Sequence, residues 1–241
     1  MRSRGLPPAD PLLDFCPMTN LPEFLTLLQH GDSFFPSGTF ASSWGLETLH
    51  ADGKVSDTTS LTHFITVQLR LRWACCDRPA LITAHRAGDV LEHVAQVDRE
   101  LEALALARDW REASRRAGRV LLRVHAQLGT RNATTYLEWI KTGQAHGHVP
   151  VVQGVVWRGV GLSEESASVL SGHTQCLTFV SVAIRLGIIS HIEAQQILQQ
   201  LRTVLMEVLQ CPLPTALSSF SPLADIATMR HEAQSVRLFA S

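Results

Sequence analysis

Apolar side chains recur at steps of three and four residues along most of this chain, and this spacing constrains its fold more than any other feature. No segment sustains the two-residue alternation that a half-buried strand requires. The clearest stripes are Leu61, Phe64, Ile65 and Leu69, then Val90, Val94, Val97, Leu101 and Leu104, and finally the run from Ile197 to Leu209. Because each stripe covers one face of a helix, the pattern predicts an all-α bundle of about eight to ten helices.

Helix boundaries are marked by capping residues and by short breaks. Asn20 with Glu23 predicts a helix that ends near Gly31, and Ser190 with Glu193 forms a capping box ahead of the last stripe. Breaks are expected near Asp52-Gly53, Gly88-Asp89, Gly129-Thr130 and Cys211-Pro212-Leu213-Pro214. Four prolines interrupt residues 1–19, which predicts a mobile N-terminal arm ahead of one domain over residues 20–241.

Residues 149–160 are the stretch where two secondary structures compete. Their valines favour a strand by intrinsic propensity. A lone strand, however, has no neighbour with which to pair its backbone N–H and C=O groups. We therefore predict a helix in this segment.

Composition limits the classes of partner. The 241 residues carry a formal net charge of −1, so the chain has no overall attraction to nucleic acid or to an anionic membrane. No run approaches the roughly 18 apolar residues that a membrane span needs. The five cysteines include no C-x-x-C pair, which favours a reduced compartment over a disulfide framework. We expect a cytoplasmic protein that binds neither nucleic acid nor membrane.

Motifs for cofactor binding are missing. Gly38-Thr39 lacks the lysine of a phosphate-binding loop, and neither Lys54 nor Lys141 follows a suitable glycine pair, so GTP binding is not expected. His146 and His148 are two apart without a third ligand nearby in sequence, which favours hydrogen bonding or exposure over a metal site. We predict no cofactor and no metal ligand in this chain.

Two other clusters have a structural interpretation. The vicinal pair Cys75-Cys76 follows an apolar helical stretch, so these thiols are expected to pack in the core. A basic stripe, interleaved with acidic residues, is expected to form an ion-paired, solvated helix face. That stripe consists of Arg108, Arg111, Arg115 and Arg119, with Glu100, Glu102, Asp109 and Glu112 nearby.

One enzymatic alternative is a serine hydrolase of the GDSL type, because Gly31-Asp32-Ser33 supplies a nominal nucleophile. That chemistry needs a strand before the serine and an Asp-x-x-His pair that activates it. Here an amphipathic helix precedes Ser33, and Asp225 and His231 stand six apart. The spacing does not fit a catalytic triad, so we predict no catalytic residue.

Two motifs near opposite ends of the chain carry a family resemblance. The first runs from Asp32 to Glu47 and contains Asp32, Pro36, Gly38, Phe40, Ser43, Gly45, Leu46 and Glu47. The second contains Pro222, Asp225, Ile226, Met229, His231 and Glu232, followed by Arg237, Leu238 and Phe239. Together with the intervening segments 147–152 and 183–187, these motifs resemble the UreF family of urease accessory proteins from about Leu21 to Ser241. The chain departs from the family pattern at Thr39, Ser42, Val236 and Ala240.

The resemblance implies a non-enzymatic, all-α maturation factor for urease. Such a protein would form a homodimer, bind UreD (called UreH in some organisms), and recruit the GTPase UreG. The complex would act on the urease apoprotein so that nickel reaches its active site. The alternative is a helical scaffold or adaptor unrelated to urease, because one fold often hosts different functions.

The resemblance also suggests residues for each partner. Trp44 and Glu47, spaced as neighbours on one helix face, and Arg185 are predicted on the UreG side. The tail is predicted to dock UreD through Asp225, Met229, His231, Arg237, Leu238 and Phe239. A structural role is predicted for Asp32, Pro36, Gly38, Phe40 and Gly45. Because the tail has few apolar residues, deleting Ser221 to Ser241 is expected to leave the helical body folded.

Overall fold

A computed structural model of the chain describes residues 20–38, 41–231 and 238–239, so the predicted N-terminal arm lies outside the described residues. The described part forms eleven α-helices and contains no strand. They are α1 Leu21–Gly31, α2 Leu46–Ala51, α3 Thr58–Val67, α4 Arg78–Ala87, α5 Leu91–Leu104, α6 Arg108–Gln127, α7 Ala133–Lys141, α8 Val149–Gly159, α9 Glu164–Arg185, α10 His191–Gln210 and α11 Pro222–His231. A π-helical segment, Gln68–Asp77, joins α3 to α4 in one continuous rod. The all-α prediction is confirmed.

Local capping explains where several helices begin. The Asn20 side chain accepts a hydrogen bond from the Glu23 N–H at 3.3 Å, and α1 ends at Gly31 as predicted. Ser190 and Glu193 satisfy each other's backbone N–H groups in the predicted capping box of α10. All four predicted breaks fall between helices.

The valine-rich segment is a helix buried deep in the bundle, as predicted. Every residue of α8 from Pro150 to Trp157 is buried. A Cβ at Gly154 would lie 2.4 Å from the backbone oxygen of Leu81, so α8 and α4 touch backbone to backbone. Apart from Gln153, the buried residues of this helix are apolar, and their burial in the bundle overrides the β propensity of valine.

Two large apolar clusters make up most of the core of the described residues, and a small third cluster contains Trp110. One is built mainly from α4, α5, α7 and α8, with Tyr136 among its fully buried side chains. The other surrounds Trp73 and Phe179 and takes residues from α3, α9 and α10. It also includes Ala224 and Ala227 of α11 and the tail residue Phe239. Because α11 covers apolar side chains of the body, part of the tail belongs to the core, and the tolerance of the fold to deletion of Ser221 to Ser241 stays a prediction.

Three details refine the sequence analysis. Cys76 is buried, as predicted, whereas Cys75 is only half-buried. Val90 does not belong to the core stripe of α5, because it is the residue before the helix and is 46% exposed. Among the described helices, α9 is long and apolar enough to cross a membrane, but most of it is buried in the bundle.

Candidate partner-binding site

The segment that begins at Asp32 is a loop whose glycines let it approach two helices closely. Asp32 Oδ1 accepts a hydrogen bond from the Phe34 N–H at 2.8 Å and closes the turn after α1, and Pro36 follows exposed. Gly38 has φ +74°, and a Cβ there would lie 3.0 Å from Val120 Cβ on α6. A glycine at this position therefore allows the loop to pack closely against α6. Phe40 lies outside the described residues.

Gly45 has the same role at the end of the loop. Its φ is +86°, and a Cβ there would lie 2.8 Å from the backbone oxygen of Ala224 in α11. Only glycine allows both the left-handed backbone and this close approach. The N-terminal motif and the C-terminal helix are thus in backbone contact.

Trp44 lies before α2 and not on it, so the predicted helix edge formed by Trp44 and Glu47 is wrong. Its φ of +54° places a bulky residue in the left-handed region, which is a strained conformation. The half-buried indole packs against Trp110 of α6, with ring centroids 5.3 Å apart. Aromatic packing on α6 is the contact that opposes the backbone strain.

Glu47 is buried, with 8% of its surface exposed, and binds the C-terminal tail. Its Oε2 lies 3.0 Å from His231 Nε2. Its Oε1 accepts the Leu238 N–H at 2.7 Å, and its Oε2 accepts the Phe239 N–H at 3.3 Å. One carboxylate of α2 therefore holds both the end of α11 and the tail beyond it.

Arg185 lies beside the same tail. This exposed residue ends α9, and its guanidinium carbon is 4.1 Å from the centroid of the Phe239 ring. The contact is a cation–π interaction. The structure thus brings together residues that the sequence analysis had divided between two partners, namely Glu47 and Arg185 with His231, Leu238 and Phe239.

The outer face of α11 is apolar and exposed. Leu223, Ile226 and Met229 follow one another at three-residue steps and are 41–54% exposed. Phe220, before the helix, lies with Leu223 on the wall of one surface pocket, and Leu238 of the tail is also exposed. We name these five residues the α11 face. Sequence analysis found Met229 and Leu238 but missed the other three, although the i, i+3 spacing opposite buried Ala224 and Ala227 was a detectable signal.

The remaining predicted tail residues differ in their surroundings. Asp225 points toward the interior and is half-buried, and burial raises the pKa of its carboxyl. His231 is fully buried, and its Nδ1 lies 3.5 Å from Asp109 Oδ2. Both ring nitrogens of His231 therefore face carboxylates, and Ser33 is an exposed turn residue. His231 is thus not paired with Ser33, the nucleophile of the hydrolase alternative. Arg237 lies outside the described residues.

Of the two histidines, His148 is hydrogen-bonded through its ring, whereas His146 Nδ1 lies 3.9 Å from Glu102 Oε2. His148 is buried, with Nε2 2.8 Å from Glu102 Oε2 and Nδ1 3.1 Å from Ser114 Oγ. The Asp98 carboxylate accepts the backbone N–H groups of residues 146–148 and so fixes the start of α8. In the parts of the chain that the structure describes, no three His, Cys, Asp or Glu side chains form a metal-binding group.

The basic stripe on α6 is ion-paired for three of its four arginines. Arg108 pairs with Glu112 at 2.8 Å, and Arg111 and Arg115 lie 3.7 and 3.3 Å from Glu102 Oε1. Because Glu112 on α6 and Glu102 on the neighbouring α5 partly neutralise these charges, the stripe is not a free cationic surface.

The fold and the site define an all-α protein whose two terminal motifs meet in one hydrogen-bonded cluster beside an exposed apolar face. A family model for UreF matches residues 55–202, more than half of the chain. The urease accessory protein UreF of Trichodesmium erythraeum is 36% identical over 231 residues, which cover 92% of this chain and 99% of that protein. UreF of Yersinia pestis (strain Pestoides F) is 28% identical over 228 residues, with 92% and 100% covered. The chain belongs to the UreF family of urease accessory proteins.

Proposed function

We propose that this protein is a non-enzymatic, cytoplasmic maturation factor for urease. It acts in a complex with UreD and the GTPase UreG, and this complex uses GTP hydrolysis by UreG to deliver nickel to the urease apoprotein. Family membership over nearly the whole chain carries the proposal. The contacts of Glu47 with His231 and Leu238 also support the proposal, because they connect the two family motifs and so the two surfaces that would bind partners.

The α11 face is the proposed docking surface for UreD. Exposed apolar residues that lie side by side are typical anchors of a protein interface. Arg230 of α11 forms a surface ion pair with Asp52, and this pair provides a polar rim beside the apolar residues. The underside of α11 is already buried on the body, so the outer face remains available for a second protein.

The proposed UreG surface consists of Trp44 and Arg185. Trp44 is strained and half-buried, and strain of this kind is frequent at functional positions. Arg185 is exposed and held beside Phe239. Glu47 is too buried for direct contact, so we assign it the role of positioning the tail next to these two residues.

Homodimer formation is proposed through the outer face of α1. Leu21, Phe24, Leu25 and Leu28 lie on one side of this helix, and 42–58% of each residue is exposed. A self-complementary apolar stripe is suited to a two-fold interface. Sedimentation of wild-type protein and of Phe24→Ser should give a dimer and a monomer, respectively.

Co-purification tests the docking surfaces. Ile226→Ser should lose UreD. Leu128→Ser is the matched control, because Leu128 is similarly exposed but lies at the end of α6, outside the α11 face, and this variant should retain UreD. Arg185→Ala should retain UreD but lose UreG. Retention of UreD by folded Ile226→Ser protein would exclude the α11 face as its docking surface.

Deletion of the gene tests the overall function. Urease apoprotein from the deletion strain should be present at normal amounts but contain little nickel by mass spectrometry. Plasmid-borne wild-type chain should restore nickel and activity, and Ile226→Ser should not. Fully nickel-loaded urease in the deletion strain would contradict the proposed function.

A further inference from the structure

A partly open cavity of about 40 Å³ lies between the π-helical segment, α6, α8, α9 and α11. Polar side chains occupy much of its wall, among them Gln68, Gln153 and Gln175. The Ser171 hydroxyl, also on the wall, donates to Gln153 Oε1 and accepts from Trp73 Nε1. Such polarity is unusual in the centre of an apolar bundle and calls for hydrogen-bonding partners.

Three polar atoms on this wall have no partner in the protein. They are Arg72 Nε, Asp77 Oδ1 and Ser221 Oγ. All three residues are at most 6% exposed. A buried polar atom without a hydrogen bond costs about 1–3 kcal/mol, so three around one cavity indicate that something in the cavity binds them.

The charges on the wall determine what fits. Arg72 lies with its guanidinium carbon 3.5 Å from the Trp110 ring centroid and donates to Ser219 Oγ at 2.8 Å. Its Nε is 3.7 Å from Asp77 Oδ2, which is an ion pair but too long for a hydrogen bond. The guanidinium opposes a bound cation, and the carboxylates of Asp77 and Asp225 oppose a bound anion. A neutral molecule that both donates and accepts is required.

We propose that the cavity is a binding site for a cluster of ordered water molecules that bridge Arg72 Nε, Asp77 Oδ1 and Ser221 Oγ. Each buried water needs roughly 10–15 Å³ and two to four polar partners, so a cavity of this size holds about three. Water supplies an acceptor for Nε, a donor for Oδ1, and either for the hydroxyl.

This cluster attaches the start of α11 to the body. Ser221 directly precedes α11 and accepts the Asp225 N–H through its backbone oxygen at 2.9 Å. Its hydroxyl therefore connects α11, through water, to the π-helical segment that carries Arg72 and Asp77. Trp44, a residue of the proposed UreG surface, also lines this cavity, but the water cluster requires neither docked partner.

A high-resolution crystal structure of the full chain tests the site directly. We expect two or more ordered waters in the cavity, with at least one within hydrogen-bond distance of each unpartnered atom. A cavity without ordered solvent, or one closed by direct hydrogen bonding between Arg72 Nε and Asp77, would overturn the proposal.

Solution measurements on one variant provide a second test. Ser221→Ala removes one bridging partner and should lower the folding equilibrium constant about fivefold, which is the typical value of one hydrogen bond. Ser33→Ala, at an exposed turn, is the matched control and should have no effect. If the Ser221 hydroxyl is dry and unpaired, its removal leaves stability unchanged or raises it, and the proposal fails.

A double variant provides a test that remains usable if Ser221→Ala fails to fold. Arg72→Met with Asp77→Leu replaces the buried ion pair by apolar side chains, an exchange that buried pairs often tolerate. The number of long-lived internal waters, counted by oxygen-17 magnetic relaxation, should fall relative to wild type. An unchanged count in folded double variant would refute the assignment.

Discussion

Glu47→Ala should destabilise the whole chain because it removes an acceptor that holds the tail. Three donors lose their partner: His231 Nε2 and the backbone N–H groups of Leu238 and Phe239. The Phe239 N–H is buried, and an unpaired buried donor costs about 1–3 kcal/mol. Because His231 Nε2 is buried as well and three donors are affected in all, we expect a total loss of about 3–5 kcal/mol.

Urea unfolding followed by circular dichroism measures this loss. The matched control is Glu138→Ala, which removes a carboxylate paired with Lys141 at 2.6 Å where both side chains are more than half exposed. Such surface pairs contribute about 0–1 kcal/mol, so the control should be nearly neutral. Trypsin should also cleave after Arg230 faster in Glu47→Ala, because α11 loses its anchor. Equal stability of the two variants would refute the role assigned to Glu47.

Three further outcomes are expected. Gly45→Ala should lower the free energy of unfolding by roughly 3 kcal/mol in denaturation experiments, and Gly53→Ala by about 1–2 kcal/mol. Both glycines have positive φ, but only at Gly45 would the added Cβ meet a backbone oxygen. Equal losses in the two variants would contradict this close approach. Burial and the neighbouring His30 lower the pKa of His125 to about 4, so the folded state resists a proton that the unfolded state takes near pH 6.5. The free energy of unfolding should therefore fall by an amount on the order of 2 kcal/mol as the pH drops from about 6.5 to about 4. His125→Gln should remove this pH dependence. If the His125→Gln protein keeps the wild-type pH profile, His125 is not its source. Purified protein should not bind a fluorescent GTP analogue, and saturable micromolar binding would contradict the missing phosphate loop.

Features that depend on near neighbours were predictable. Apolar spacing located α3, α5 and α10, and the capping residues Asn20 and Ser190 located the starts of α1 and α10. The buried helix α8 was predictable despite its valines, because an isolated strand cannot satisfy its backbone. In each case the deciding interactions lie within a few residues along the chain or follow from backbone hydrogen bonding.

The candidate site was predictable only in part. The motifs contained Glu47, His231 and Phe239. From the sequence, however, Glu47 had the features of an exposed interface charge, and the tail had the features of a separate docking segment. The structure buries Glu47 against His231, a partner 184 positions away. The same closure buries Phe239 and exposes the α11 face.

Helical periodicity and capping determined the elements of this protein, because both operate within one or two turns. The tertiary structure decided which charges are buried, which loop residue is strained and which helix face remains exposed. The physical reason is that burial depends on what packs opposite a residue, and the partner of the N-terminal motif comes from the other end of the chain.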